Sequence, residues 1–179
     1  MQRQEMAGIT LVVGLGKSGE SAARALRALG VAFAVTDSRA NPPGLATLQA
    51  ECPEVPRSLG GFDPAAFAKA ARLLVSPGVS VKTPVIAAAA ARGVPIWGDI
   101  ELLARLTTAP IAAITGSNGK STVTTLLGLM AERAGVRAAV GGNLGEPALD
   151  LWLQQERNAG SAPDCYVLEL SSFQLETTH

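Results

Sequence analysis

Short apolar runs alternate along the chain with stretches whose apolar positions recur every three to four residues. "ITLVV" (9–13) predicts a strand that ends in a glycine turn. "ESAARALRALG" (20–30) has helical spacing and stops on Gly30, and "VAFAVTD" (31–37) predicts the next strand. A proline-rich, less regular stretch follows to Gly61, with room for a helix at 44–51. Then come a helix at 64–70, a strand at 72–76, a Pro77-Gly78 turn, a helix at 84–93, a strand at 94–98 and a helix at 99–106. "TTAP" (107–110) reads as a linker, after which the alternation restarts. It gives a strand at 111–115, a glycine loop, a helix at 120–134, a strand at 136–142 and a helix at 147–156. An exposed polar loop is expected at 157–163 and a strand over "CYVLELS" (165–171).

Strand–helix alternation of this kind predicts an α/β protein with parallel sheets covered by helices. The expected organisation is a Rossmann-like domain of about four strands over 1–106 and a linker at 107–110. A P-loop-type α/β domain follows over 111–179, of which only three strands precede the last residue, so that its sheet is expected to be incomplete.

Composition narrows the function. Apolar residues make up 47% of the 179, enough for a substantial core. Lys+Arg and Asp+Glu are both 15, so no basic excess points to nucleic acid or an anionic membrane surface. Cys52 and Cys165 lie far apart and the single histidine is His179, which argues against a zinc cluster and for free thiols in a reducing compartment. No apolar run approaches the roughly 18 residues of a membrane span, and the amino terminus does not read as a signal peptide. The expected location is the cytoplasm, without membrane insertion.

Two glycine loops carry the candidate chemistry. Gly14-Leu15-Gly16-Lys17-Ser18-Gly19 follows a strand and opens a helix, and Asp37 ends the next strand. This is the setting of a dinucleotide fingerprint, in which glycines let the backbone approach a phosphate at a helix N-terminus. A tight turn without ligand has the same spacing, and the motif alone leaves open which nucleotide binds. Lys17 and Ser18 are placed to face a diphosphate.

"ITGSNGKST" (114–122) resembles a phosphate loop with shortened spacing: Ile114 stands where G-x-x-x-x-G-K-[ST] places its first glycine. Gly116 and Gly119 still permit a tight loop with inward N–H groups, Lys120 offers a positive charge, and Ser121 or Thr122 can hold Mg²⁺. Glu169 lies near the carboxyl end of an apolar strand, where a carboxylate is costly unless paired or metal-bound. It is therefore a candidate metal acid, and Asn143 after "GG" should reach the same crevice. A solvent-facing glutamate and an ordinary turn asparagine are the plainer alternatives.

"ITGSNGKST", "GGN" and "LELSSFQLETT", together with "GLGKSG", "TDSR", "SPGV" and "GDIELL", resemble the Mur ligases. The resemblance covers nearly the whole chain. It implies ATP on Gly116, Ser117, Asn118, Gly119, Lys120, Ser121 and Thr122, with Mg²⁺ on Ser121 and Glu169, and Lys120 and Glu169 as the catalytic groups. It implies a uridine-diphosphate substrate, not NAD, on Gly16, Lys17, Ser18, Asp37, Ser38, Arg39 and Gly78, with Asn143, Ser171 and Gln174 nearer the muramoyl group. Within the family the match is to members that join D-glutamate to UDP-N-acetylmuramoyl-L-alanine through an acyl phosphate. Lys17 and Ser38 are less regular in the family. The family's central domain continues further and a third domain follows, so the chain as given is expected to be inactive alone and to self-associate. A NAD-binding oxidoreductase and a non-catalytic nucleotide-binding module are the competing functions.

Overall fold

Thr10–Val13 and Arg72–Val75 are buried at every position, the pattern of strands covered on both faces. They are the centre of the first of two parallel sheets in the computed structural model, which describes residues 6–157 and 162–179. That sheet contains β1 (Thr10–Val13), β2 (Phe33–Asp37), β3 (Arg57–Leu59), β4 (Arg72–Val75) and β5 (Ile96–Trp97), in the order β3-β2-β1-β4-β5. The intervening helices are α1 (Lys17–Ala28), α2 (Leu45–Glu51), α3 (Pro64–Lys69) and α4 (Pro84–Ala91), with α5 (Asp99–Leu106) following β5. The strand order reverses beside β1, between β2 on one side and β4 on the other. In doubly wound sheets the ligand crevice opens at such a point, beyond the carboxyl ends of the strands.

The second sheet contains β6 (Ile111–Ile114), β7 (Ala138–Gly142) and β8 (Cys165–Glu169), with the order β6-β8-β7. Between them lie α6 (Lys120–Arg133) and α7 (Ala148–Arg157), and α8 (Ser172–Leu175) ends the fold. The central β8 is buried from Tyr166 to Glu169. Its register sets Glu169 between Ile114 of β6 and Gly142 of β7.

Three features differ from the sequence expectation. The first sheet has five strands, because β3 lies inside the stretch read as irregular. Helix α1 begins at Lys17, so Lys17 and Ser18 belong to its first turn, not to the loop. β8 stops at Glu169, and Ser171 becomes the N-cap of α8 in a capping box with Gln174. The predicted exposed loop at 157–163 falls largely on 158–161, outside the described residues, and Arg157 still belongs to α7.

Helix α7 joins the two sheets. Leu149, Leu151, Trp152 and Leu153 are buried in one cluster with Ala22 and Leu26 of α1 and with Leu102 and Leu103 of α5. Each of these leucines contributes on the order of 1.5–3 kcal/mol by leaving water. Arg24 of α1 grips Asp150 of α7 in a two-pronged pair at 2.9 and 2.6 Å. That hydrogen bonding raises the pKa of Arg24 against the opposing pull of burial. Cys52 and Cys165 are free thiols. Among the described residues, no helix is long and apolar enough to cross a membrane.

Candidate functional site

The carboxyl ends of the first sheet converge on a cleft of about 530 Å³. Its first wall comes from the loop after β1 (Gly14, Gly16) and the start of α1 (Lys17, Ser18). The segment after β2 (Asp37, Ser38, Arg39) and the turn after β4 (Ser76, Gly78) complete that side. Its second wall comes from the other sheet: Gly142, Asn143, Gly145, Pro147 and Gln174.

The first glycine loop is held closed from beneath. Gly14 has φ +92°, a conformation that favours glycine. A Cβ at Gly19 would lie 2.0 Å from the Gly14 carbonyl oxygen, so only glycine lets α1 start this close to β1. Ser76 Oγ donates to the same carbonyl at 2.8 Å. Gly16 caps α1 without a side-chain hydrogen bond and has open space around it. The first-turn N–H groups therefore lack a side-chain cap at the cleft, an arrangement suited to a phosphate.

Asp37 is buried, and both its oxygens are engaged. It accepts the Leu15 N–H at 2.7 Å and the Arg39 N–H at 2.8 Å. The Arg39 guanidinium adds bonds from Nε at 2.9 Å and Nη2 at 2.7 Å. Burial alone would raise its pKa; the Arg39 guanidinium and the two N–H groups reverse that and hold it at about 2. With four donors on two oxygens, Asp37 fixes the loop and the pose of Arg39. Little capacity remains for it to grasp a ribose diol itself.

The second loop leads from β6 into α6. Gly116 (φ +145°) and Gly119 (φ +78°) take conformations that suit glycine, and a Cβ at Gly119 would meet nothing within 4 Å. Gly119 caps α6, again without a side-chain bond. Lys120 Nζ reaches back to the Gly116 carbonyl at 2.8 Å. Ser117 and Asn118 between them are exposed, as is Thr122 on α6.

Glu169 connects the second loop to the cleft. Its Oε2 accepts the Ser121 hydroxyl at 2.7 Å, and its Oε1 accepts Asn143 Nδ2 at 3.0 Å. These two bonds, with the nearby Lys120 charge, hold its pKa below the usual glutamate range against burial. It sits on the central strand, not at a solvent-facing edge. The alternative of an ordinary turn for Asn143 also meets an observation: its side chain is committed to Glu169 and lines the cleft. Ser121 and Glu169 offer hard oxygen atoms, the donor type Mg²⁺ selects, and Mg²⁺ sites commonly use one or two protein oxygens plus phosphates and water. The residues present therefore fit that ion.

All the residues the sequence suggested for the substrate line the cleft except Ser171. Ser171 stands behind it, where its N–H and hydroxyl both donate to Gln174 Oε1. Sequence reasoning passed over Ser76 and Asp99. Asp99 is a buried carboxylate bonded by Gln174 Nε2 at 3.1 and 3.4 Å and by the Ile100 N–H at 3.0 Å. Burial pushes its pKa up against those donors. The signal for Ser76 was its place directly after a strand in a glycine-turn segment, "SPGV".

The sequence profile of the family "Mur ligase MurD-like, N-terminal domain" matches residues 9–98. A UDP-N-acetylmuramoylalanine–D-glutamate ligase of Nitrosococcus oceani is 54% identical over 175 residues, covering 98% of this chain and 37% of that protein. The enzyme of the same name from Marinobacter nauticus is 59% identical over 169 residues, covering 94% of this chain and 36% of its own length. The chain thus spans little more than a third of these relatives. A solved UDP-N-acetylmuramate:L-alanyl-gamma-D-glutamyl-meso-diaminopimelate ligase from Neisseria meningitides shares the fold with a TM-score of 0.55 at 18% identity, over 90% of this chain and 52% of that one. A UDP-N-acetylmuramate-alanine ligase from Thermotoga maritima does so with a TM-score of 0.52 at 17% identity, over 91% and 37%.

Proposed function

The chain belongs to the MurD-like Mur ligases, and from that premise we propose that it carries the UDP-substrate site and the ATP loop of a D-glutamate-adding ligase. The activity is ATP-dependent amide formation between UDP-N-acetylmuramoyl-L-alanine and D-glutamate through an acyl phosphate, a cytoplasmic step of peptidoglycan precursor synthesis. Residues 1–106 and 111–179 are its first domain and the beginning of its central domain, with 107–110 between them.

The bond pattern of Glu169 carries this reading: one oxygen meets Ser121 of the ATP loop and the other meets Asn143 of the cleft. A nucleotide triphosphate on one side and a substrate carboxylate on the other can thus share one charged centre. The first turn of α1, with Lys17 and Ser18, takes the diphosphate. Ser38, Arg39 and Gly78 face the uridine, and Asp37 holds Arg39 in place. Asn143 and Gln174, supported by Ser171, take the muramoyl end. Gly116 to Thr122 wrap the ATP phosphates through backbone N–H groups, and Lys120 leaves the Gly116 carbonyl to neutralise the transferred phosphoryl group. Ser121 and Glu169 would hold Mg²⁺, which would supply further charge stabilisation when bound.

An NAD oxidoreductase would use an acid such as Asp37 for the ribose, and its oxygens are already engaged by Leu15 and Arg39. That reading also leaves the second loop and Glu169 without roles. A binding module without catalysis gives no reason for a metal-type acid bonded to a phosphate loop.

Titration with ATP–Mg²⁺ tests the assignment of the loop. Lys120 contributes charge and no core packing, so Lys120→Ala should stay folded. It should weaken ATP about 10- to 100-fold, the worth of a charge-assisted hydrogen bond, and leave affinity for a UDP compound within about twofold. Unchanged ATP affinity, or unfolding, would sink the phosphate-loop assignment.

A further inference from the structure

The β5–α5 junction receives the last residues of the chain. Gly98 donates its N–H to the Thr177 carbonyl at 3.3 Å, and a Cβ at Gly98 would lie 2.1 Å from Thr177 Oγ1. Glu101 Oε2 accepts the His179 N–H at 2.8 Å. Asp99 lies at the centre of this contact and is 5% exposed. One of its oxygens accepts Ile100 N–H at 3.0 Å, and both face Gln174 Nε2.

The orientation of Gln174 is not free. Its Oε1 accepts from Ser171 twice, which turns its NH₂ toward Asp99 and requires an acceptor there. An ordinary first-turn acid of a helix faces water; this one faces donors from two sheets' worth of structure. Gln174 lines the second wall of the cleft, whereas Asp99 opens α5, which follows β5 of the first sheet. We propose that Asp99 is a positioning residue for the UDP-compound cleft: from the start of α5 it holds the Gln174 amide, and so sets where the second wall stands relative to the first. This rests on the reading of that cleft as the UDP site. Asp99 does not line the cleft and acts only through Gln174.

The test uses Asp99→Asn, which keeps the shape but has one acceptor oxygen where two are needed. In either orientation its NH₂ then stands against a donor, Gln174 Nε2 or the Ile100 N–H. The paired variant Asp99→Asn, Gln174→Glu restores an acceptor opposite a donor. Two readouts are taken on the 179-residue chain, with far-UV circular dichroism to verify folding. Amide hydrogen exchange across Ser171–Thr178 should accelerate about tenfold in Asp99→Asn and slow again in the paired variant, as expected for loss and recovery of a bond to a charged group. Affinity for UDP-N-acetylmuramoyl-L-alanine should fall about tenfold in Asp99→Asn, with ATP–Mg²⁺ affinity within twofold. Unaltered exchange overturns the proposal. So does faster exchange with unaltered affinity for the UDP compound, which would leave Asp99 a purely structural anchor. A chain whose unaltered form binds no UDP compound would instead refute the reading of the cleft, and exchange alone would then decide whether Asp99 orders that wall. If Asp99→Asn fails to fold, the paired variant carries the test through exchange alone: exchange near that of the unaltered chain supports the proposal, and persistently fast exchange overturns it.

Discussion

Asp37 accepts four hydrogen bonds on two oxygens, and that saturation has a measurable consequence. Its pKa of about 2 in the folded chain lies below the ordinary 3.8, so the unfolded chain takes up the proton first as pH falls. The stability it contributes is present above about pH 4 and lost as pH drops through about 2. The gap corresponds to roughly 2 kcal/mol, an upper figure because Arg39 is half exposed and water screens its charge. Urea unfolding at pH 5 and pH 2.5 should therefore show a smaller acid loss for Asp37→Asn than for the unaltered chain, by up to about that amount. Equal losses would mean that Arg39 does not hold the carboxylate. Glu169 was legible in the sequence because a carboxylate inside "YVLEL" is costly unless it is paired or metal-bound. Asp99 was not, because an acid opening "DIELLARL" looks like an ordinary favourable first-turn residue. Its burial depends on Gln174, 75 positions away.

At the scale of elements, the sequence identified both strand–loop–helix units because their glycines and periodicity are local signals. What it missed also has local causes. β3 is three residues, "RSL", without a β-branched or aromatic run and close to Pro53, Pro56 and Gly60. α8 is four residues, and Leu170 extends the apolar run of β8 toward it, hiding the capping-box start at Ser171. α1 was read as starting late because Gly-Lys-Ser-Gly resembles turn chemistry, whereas uncapped first-turn amides are what a phosphate site requires. Gly19 and Gly16 separate packing from binding in that unit. Gly19→Ala forces a Cβ against the Gly14 carbonyl and should cost about 1–3 kcal/mol, the usual range for overpacking. Gly16→Ala meets open space at an extended backbone and should cost well under half of that. Similar midpoints for the two variants in urea unfolding would contradict the close β1–α1 contact as the reason for Gly19.

On the scale of the whole molecule, the cleft exists only because two sheets face each other, and no spacing rule could have foreseen it. Arg24 and Asp150 are 126 positions apart, and Gln174 and Asp99 are 75 apart. The second sheet also leaves α6 thinly covered: only Thr124 of its 14 residues is buried, while Val123, Leu126, Leu129 and Met130 are exposed. An apolar stripe of this kind favours association. The chain should sediment as larger species with rising concentration, and Leu126→Lys with Met130→Lys should return it toward monomer; identical profiles would rule out this face as the cause.

The most direct test of the central claim compares ligands on the cleft between the sheets. Thermal unfolding of the 179-residue chain is followed with UDP-N-acetylmuramoyl-L-alanine, UDP, NADH and ATP–Mg²⁺ side by side. A ligand at about 100 times its Kd stabilises by about 2.7 kcal/mol, a shift of several degrees for a chain of this size. UDP-N-acetylmuramoyl-L-alanine and UDP should each give saturable stabilisation, ATP–Mg²⁺ a separate stabilisation, and NADH none over the same range. Stabilisation by NADH exceeding that by both UDP compounds would contradict that claim.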